Sequence, residues 1–283
     1  MDKQICLSIV IPAYNEVDRL PPYLERVCDY LDVEFPGRYE VLVVDDGSRD
    51  MTAESVIRIS ESHRPIVLIR HNRNLGKGAA VRSGVLASRG DLILFTDADG
   101  ATPIEHEVRL REAIAEGADI AVGSRLVGES SIIRSRLRRW GGGVFSTLTR
   151  FFLRVHIRDT QCGFKMFRRE AGLRLFTLCE TNGYIFDAYL IRIAEELRYR
   201  VDEISVGYRD MEGSRFRLWK DPIIMIAELS QAHRIVRYTL EKAAASTGLQ
   251  AIDMNAQGPY HEPFDRLPIL NESITDKKLD QSQ

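Results

Sequence analysis

Leu92-Ile93-Leu94-Phe95-Thr96-Asp97-Ala98-Asp99-Gly100 is the stretch on which the reading of this chain turns. Its first four residues are a short apolar run, the pattern of a strand covered on both faces. Two carboxylates then follow at i and i+2, where the chain leaves the sheet. An unpaired buried carboxylate is costly, so a core has no use for two of them. A divalent cation that also binds phosphate oxygens would satisfy both, since Mg2+ takes one or two protein carboxylates plus substrate phosphates. A polar turn built from Asp and Gly is the plain alternative.

The same apolar run, loop and helix recur on either side of this stretch. Cys6–Ile11, Val41–Val44, Ile66–Arg70 and Ile120–Val122 read as further buried strands, the first ending at Pro12. Between them Val17–Leu31, with Leu20, Leu24, Val27 and Leu31 on one face, Lys77–Ser88 and Glu105–Glu116 have helical spacing. Another helix follows Val44, with Ser48 or Asp50 as its N-cap and Glu54 in its early turns. Apolar strands alternating with helices predict an α/β domain with a mainly parallel sheet covered on both faces. Ligands of such sheets bind beyond the carboxyl ends of the strands. The loops there are 12–16, 45–48, 72–78 and 96–102, and they hold nearly every unusual polar residue of this half.

Each loop offers a function and a plainer reading. Asp45-Asp46-Gly47-Ser48 can accept from a base or a ribose hydroxyl, or can simply form a turn and helix cap. In Pro12-Ala13-Tyr14-Asn15-Glu16, Tyr14 can lie against a base and Glu16 can reach a ribose, or the segment is a routine strand exit. Gly76-Lys77-Gly78 opens a helix whose N–H groups and Lys77 suit phosphate, although the pattern is not that of an ATP-type P-loop. Close packing of helix on sheet would need the same glycines. Arg125, in Gly123-Ser124-Arg125, can fork onto a phosphate or form a salt bridge. Arg158-Asp159-Thr160-Gln161-Cys162-Gly163-Phe164-Lys165 is dense in polar groups. Asp187 is a lone acid among aromatics, with a pKa expected to be raised, or a helix cap.

The second half is different in character. Ile133–Arg158 carries Arg134, Arg136, Arg138, Arg139, Arg150, Arg154 and Arg158 without an acid, interleaved with Trp140, Phe145, Phe151 and Phe152. Two short helices broken at Gly141-Gly142-Gly143, lying on an anionic lipid surface, are expected here, the rival being a basic helix packed on the domain. Ile185–Leu197 and Pro222–Leu240 read as helices and Val201–Tyr208 as a strand. From about Ala245 the periodicity fades into a polar tail.

Bulk composition agrees with a soluble globular protein. The chain has 283 residues, 44% hydrophobic and 28% charged, with a net charge of −2 that gives no general attraction to nucleic acid. No apolar run approaches the ~20 residues of a membrane span. Four cysteines without CxxC spacing and a start that enters a strand at once suggest reduced thiols and no signal peptide. The scattered histidines show no zinc spacing. The expected location is cytoplasmic, peripheral on the inner face of a membrane.

In order, PAYNE, VVDDGS, NLGKG, DADG, GSR, DTQCGFK and FD resemble the family 2 glycosyltransferases of GT-A fold, over about Ser8–Trp219. Within them the chain most resembles the polyprenyl-phosphate branch, glucosyl members ahead of mannosyl ones. The resemblance implies that Pro12, Tyr14, Glu16 and Asp46 hold the nucleotide's base and ribose. It implies that Asp97 and Asp99 bind Mg2+ or Mn2+ and the diphosphate, and that Arg125 faces a donor or acceptor phosphate. Mannosyl members place a further ligand, Gln, where this chain has Ala101, and Asp187 matches the acid of an FDxEL segment whose Glu is here Tyr189.

The implied reaction is an inverting transfer of a hexose, glucose from UDP-glucose, to a polyprenyl phosphate. Asp187 and Arg125 are the candidate catalytic residues, and Lys77 and Asp97 add to the nucleotide site. Arg134, Arg138, Gln161 and Lys165 are the candidate acceptor-binding groups. GDP-mannose as donor, a soluble hydroxyl acceptor with Asp187 as base, or a nucleotide-sugar sensor are the alternatives. The expected organisation is one domain over 1–244, with a nucleotide half at about 5–125, an acceptor half at about 126–244 and a flexible tail over 245–283.

Overall fold

The computed structural model describes residues 4–63, 65–127, 132–133, 149, 152–179, 181–183, 185–209 and 235–241. Strands β1 (Leu7–Ala13), β2 (Tyr39–Asp45), β3 (Ile66–Arg70), β4 (Leu92–Thr96) and β5 (Ile120–Ser124) alternate with helices α1 (Leu20–Glu34), α2 (Thr52–Ser60), α3 (Lys77–Ala87) and α4 (Glu107–Ala115). A short strand β6 (Ile132–Ile133) follows. Then come β7 (Phe164–Arg168), α5 (Arg169–Leu178), α6 (Phe186–Glu196), β8 (Val201–Ser205) and β9 (Tyr208–Arg209). The main sheet has seven strands in the order β3-β2-β1-β4-β7-β5-β8. β7 runs antiparallel to both its neighbours, and every other pairing in the sheet is parallel.

Alternation along the strands sorts side chains into two layers. Leu7, Ile9 and Ile11 of β1 and Leu94 of β4 pack with Leu24, Val27 and Leu31 of α1 and with Leu110 of α4. Val10, Ile93 and Phe95 face the other way, onto Val81 and Val85 of α3, Leu175 of α5 and Phe186 and Leu190 of α6. The apolar face expected for the first helix, Leu20, Leu24, Val27 and Leu31, is fully buried. That helix begins at Leu20 rather than Val17, because Pro21 and Pro22 suit its first turn, where no N–H is needed.

Several expected boundaries are corrected. β1 continues through Pro12 to Ala13, because the β1–β4 pairing ends at Val10 and leaves Pro12 no donor to supply on that side. Ser48 does not cap α2; its hydroxyl accepts from Asn15 N–H at 2.8 Å, and the helix starts later, at Thr52. The strand expected over Val201–Tyr208 is two, β8 in the main sheet and β9 paired with β6. β7 was not expected at all. The expected helices around Gly141, the Pro222–Arg234 part of the long helix and the 245–283 tail lie outside the described residues; 235–241 is helical. Among the described residues no helix is long and apolar enough to cross a membrane.

Candidate functional site

The carboxyl ends of β1, β2, β4 and β5 share one rim of the sheet, and the antiparallel β7 enters from that rim. Phe164 pairs with Thr96, so residues 159–163 run beside the Asp97–Asp99 loop. Asp97 N–H donates to Gly163 O at 3.1 Å. A Cβ on Gly163 would overlap the Asp97 carboxylate, so only glycine lets that side chain lie across the neighbouring chain. Tyr23 Oη meets Thr96 Oγ1 at 2.8 Å and supports the strand end from below.

Both rim carboxylates are partly open to solvent, Asp97 at 38% and Asp99 at 24%. Asp97 Oδ1 lies 2.6 Å from Lys77 Nζ, which also sits 5.3 Å from the centre of the Phe95 ring. Asp99 Oδ1 accepts from Ala101 N–H at 3.0 Å, and Oδ2 lies 3.9 Å from Arg19 Nη1. Burial and then the charge of Asp97 raise the Asp99 pKa. Burial opposes the Lys77 charge, but Asp97, Asp187 and Asp99 together hold its pKa above that of free lysine. Two carboxylates that repel each other at a half-open rim fit a hard divalent cation. Among the described residues no third His, Cys, Asp or Glu completes a ligand set, so such an ion would need phosphate or water oxygens for the rest.

The other expected nucleotide residues form an adjoining sector. Asp46 is buried, and its carboxylate is spent on the next loop. It accepts from Leu75 N–H and Gly76 N–H, both at 2.9 Å, and meets His71 Nδ1 at 2.7 Å. It thereby fixes the backbone that presents Lys77. Asp45 closes the turn, accepting from Ser48 N–H at 3.0 Å and pairing with Arg70 Nε at 3.1 Å. Pro12, Tyr14 and Glu16 are half-buried at the end of β1, and Glu16 is held by Arg19 Nε at 2.7 Å. The glycines before α3 serve packing: Gly78 N–H donates to Asn182 O at 2.9 Å, and Cβ atoms on Gly76 and Gly78 would strike the Asn182 and Thr181 carbonyls.

Two further ion pairs adjoin the rim, one half-buried beside it and one fully buried beneath it. Arg125 directs Nε and Nη2 to Asp159 at 2.6 and 2.7 Å, beside the Tyr208 ring. The salt bridge is thus the reading that its geometry follows, and it ties β5 to the 159–163 loop. Burial acts against ionised Asp159, but the Arg125 fork outweighs it and the pKa is lowered. Lys165 is fully buried, and its Nζ donates to Asp187 Oδ1 at 2.5 Å and to Cys162 O at 2.6 Å. Asp187 sits in the first turn of α6 with no capping bond. Burial raises its pKa, and Lys165 and Lys77 oppose that only in part.

The structure therefore gathers Lys77, Asp97, Asp99, Lys165 and Asp187 into one cluster and places Asp46 directly behind it. Gln161 is half-buried on the same loop as Gly163, and its Nε2 is buried with no hydrogen-bond partner among the described residues. Arg134 and Arg138 lie outside the described residues. Sequence reasoning passed over Asn15 and His71. Asn15 has a positive φ of 52° and joins the first two loops, its N–H to Ser48 Oγ and its Oδ1 accepting from Arg49 N–H at 2.7 Å. His71 bridges Asp46 to Ser83 Oγ, at 2.9 Å on its Nε2 side. The available signal was position: His71 immediately follows β3, and Asn15 lies two residues beyond the end of β1.

The doubly covered, mainly parallel sheet is an arrangement shared with solved glycosyltransferases. Glucosyl-3-phosphoglycerate synthase from Mycobacterium tuberculosis, crystallised with Mn2+, uridine-diphosphate-glucose and phosphoglyceric acid, superposes with a TM-score of 0.56 at 18% identity, over 83% of this chain and 79% of that one. This likeness establishes the GT-A fold. The sequence profile of glycosyl transferase family 2 matches residues 8–176. The dolichyl-phosphate beta-glucosyltransferase of Saccharomyces cerevisiae is 36% identical over 247 residues, 81% of this chain and 74% of its own. Its counterpart in Homo sapiens is 38% identical over 226 residues, 74% and 69% of the two chains. The chain belongs to glycosyl transferase family 2 and is a glycosyltransferase.

Proposed function

We propose that this enzyme transfers glucose from UDP-glucose to a polyprenyl phosphate of the dolichyl type, with inversion, at a membrane surface. The observation that carries the proposal is the likeness, at 36% and 38% identity over 81% and 74% of the chain, to relatives named for that acceptor and sugar. The donor rests against Pro12, Tyr14 and Glu16, and Asp46 acts on it through the loop that it shapes. Asp97 and Asp99 hold Mg2+ or Mn2+, which when bound offsets charge growing on the departing diphosphate. Lys77 adds a fixed positive charge there. The catalytic domain spans 1–244, with the nucleotide half before about 125 and the tail 245–283 outside it.

The acceptor oxyanion attacks the anomeric carbon as the bond to the diphosphate breaks. A phosphate monoester is already a nucleophile and needs no general base. The burial of Asp187 against Lys165 supports an orienting role for both rather than proton transfer. Arg125 likewise orients, through Asp159, the loop that carries Gln161. Gln161, with its unpaired buried donor, binds the acceptor or the transferred sugar, and Arg134 and Arg138 meet the lipid phosphate. Incubation with labelled UDP-glucose, Mg2+ and a polyprenyl phosphate tests the proposal. Label in the organic phase is expected. Label transferred only to water-soluble acceptors, only from GDP-mannose, or not at all with the donor merely bound, would refute it.

A further inference from the structure

The two carboxylates that fit a metal are not vacant of positive charge. Lys77 Nζ lies 2.6 Å from Asp97, and Arg19 Nη1 lies 3.9 Å from Asp99. The two cations are not equally placed. Arg19 is committed to Glu16 through both Nε and Nη2, so its hold on Asp99 is peripheral. Lys77 has Asp97 as its one direct carboxylate partner among the described residues. It stands on the first residue of α3, on a backbone fixed by Asp46 and packed against Asn182. Its stem can therefore turn while its Cα cannot move. A divalent cation entering alone would share Asp97 with an ammonium group, and like charges so close repel strongly in a partly dry site. A diphosphate changes the balance, because it gives the ammonium a second anion to hold.

We propose that Lys77 is a resident counter-cation that closes the Asp97–Asp99 pair to free metal and releases it only to metal accompanied by diphosphate. The inference rests on the metal and diphosphate reading above and adds an order to it: cation and nucleotide enter as a unit. Linkage requires the effect to be reciprocal, so each strengthens the binding of the other.

The test is Mn2+ uptake, measured by electron paramagnetic resonance on the full chain with and without UDP and needing no acceptor or turnover. Wild type should bind free Mn2+ weakly and gain about tenfold or more with UDP, within the usual range of coupling between sites. Lys77→Met should bind free Mn2+ several-fold more tightly and lose most of the gain from UDP. Lys77→Arg, which keeps the charge, should behave like wild type, and melting curves will verify that all three proteins are folded. Equal uptake of free Mn2+ by wild type and Lys77→Met sinks this inference while leaving the metal site standing. No Mn2+ uptake by any of the three, with or without UDP, sinks the metal reading and the inference together.

Discussion

The rim and the layer just beneath it carry the same residue types to opposite ends. At the rim, Asp97 and Asp99 are 38% and 24% exposed and lie beside Lys77 and Arg19. Beneath, Asp187 and Lys165 are 3% and 0% exposed and are bonded to each other. An acid in a sequence does not declare which of these it will be. The difference lies in what surrounds it, since a buried charge without a fixed partner is costly, whereas a half-open one can wait for a ligand. On the proposed function the rim binds, and the layer below holds the rim in place.

The largest effect should come from the rim. Asp97→Ala or Asp99→Ala is expected to lower kcat by about 100-fold or more, the scale of losing one group that stabilises transition-state charge. Both variants should melt close to wild type, and a collapse in melting temperature instead would erase the distinction between the two layers. The converse holds below. Lys165→Met leaves Asp187 buried without its partner and should cost about 3–5 kcal/mol in urea unfolding. Replacing both members, Lys165→Met with Asp187→Leu, should recover most of that stability but not activity. A single variant as stable as wild type would show that the pair is not structural.

Gly163→Ala probes the seam between the layers, because the new methyl group must push the Asp97 carboxylate aside. A shift of about 1 Å at a reacting site can cost around 100-fold, so kcat should fall by roughly 10- to 100-fold with secondary structure intact by circular dichroism. The smallest effects concern pH. The Asp159 pKa is lowered, so its contribution is complete above the unfolded value of 3.8 and is lost as pH falls through the folded one. The stability gap between wild type and Asp159→Asn should narrow as the medium becomes more acid. The Asp187 pKa is raised, so the folded state keeps a proton that the unfolded state has given up above 3.8. Stability should therefore decline as pH climbs through that window, and Asp187→Asn should flatten the decline. Urea midpoints across pH 3–7 will check both signs.

Much of this architecture was legible because parallel strands covered on both faces are apolar runs. β1 to β5 and the rim loops follow from that pattern. β7 escaped it because Phe164-Lys165-Met166-Phe167-Arg168 places a charge mid-strand, and only the fold reveals the acid on α6 that neutralises it. The cap assigned to Ser48 failed for a related reason: its hydroxyl is used by Asn15, a residue 33 positions away. Arg125 shows the limit most plainly. Its place beside the rim was readable, but whether it forks onto a phosphate or onto Asp159 depends on a loop that returns from elsewhere in the chain.

The antiparallel strand has a mechanical consequence. β7 is laced to β4 on one side and to β5 on the other, so the strands on both sides of it are sewn into a single plate. Among the described residues the sheet runs unbroken across this strand, which argues against the two sides parting like jaws. Exchange of ligands is therefore expected at the loops along the edge of the plate rather than by swinging of its two sides.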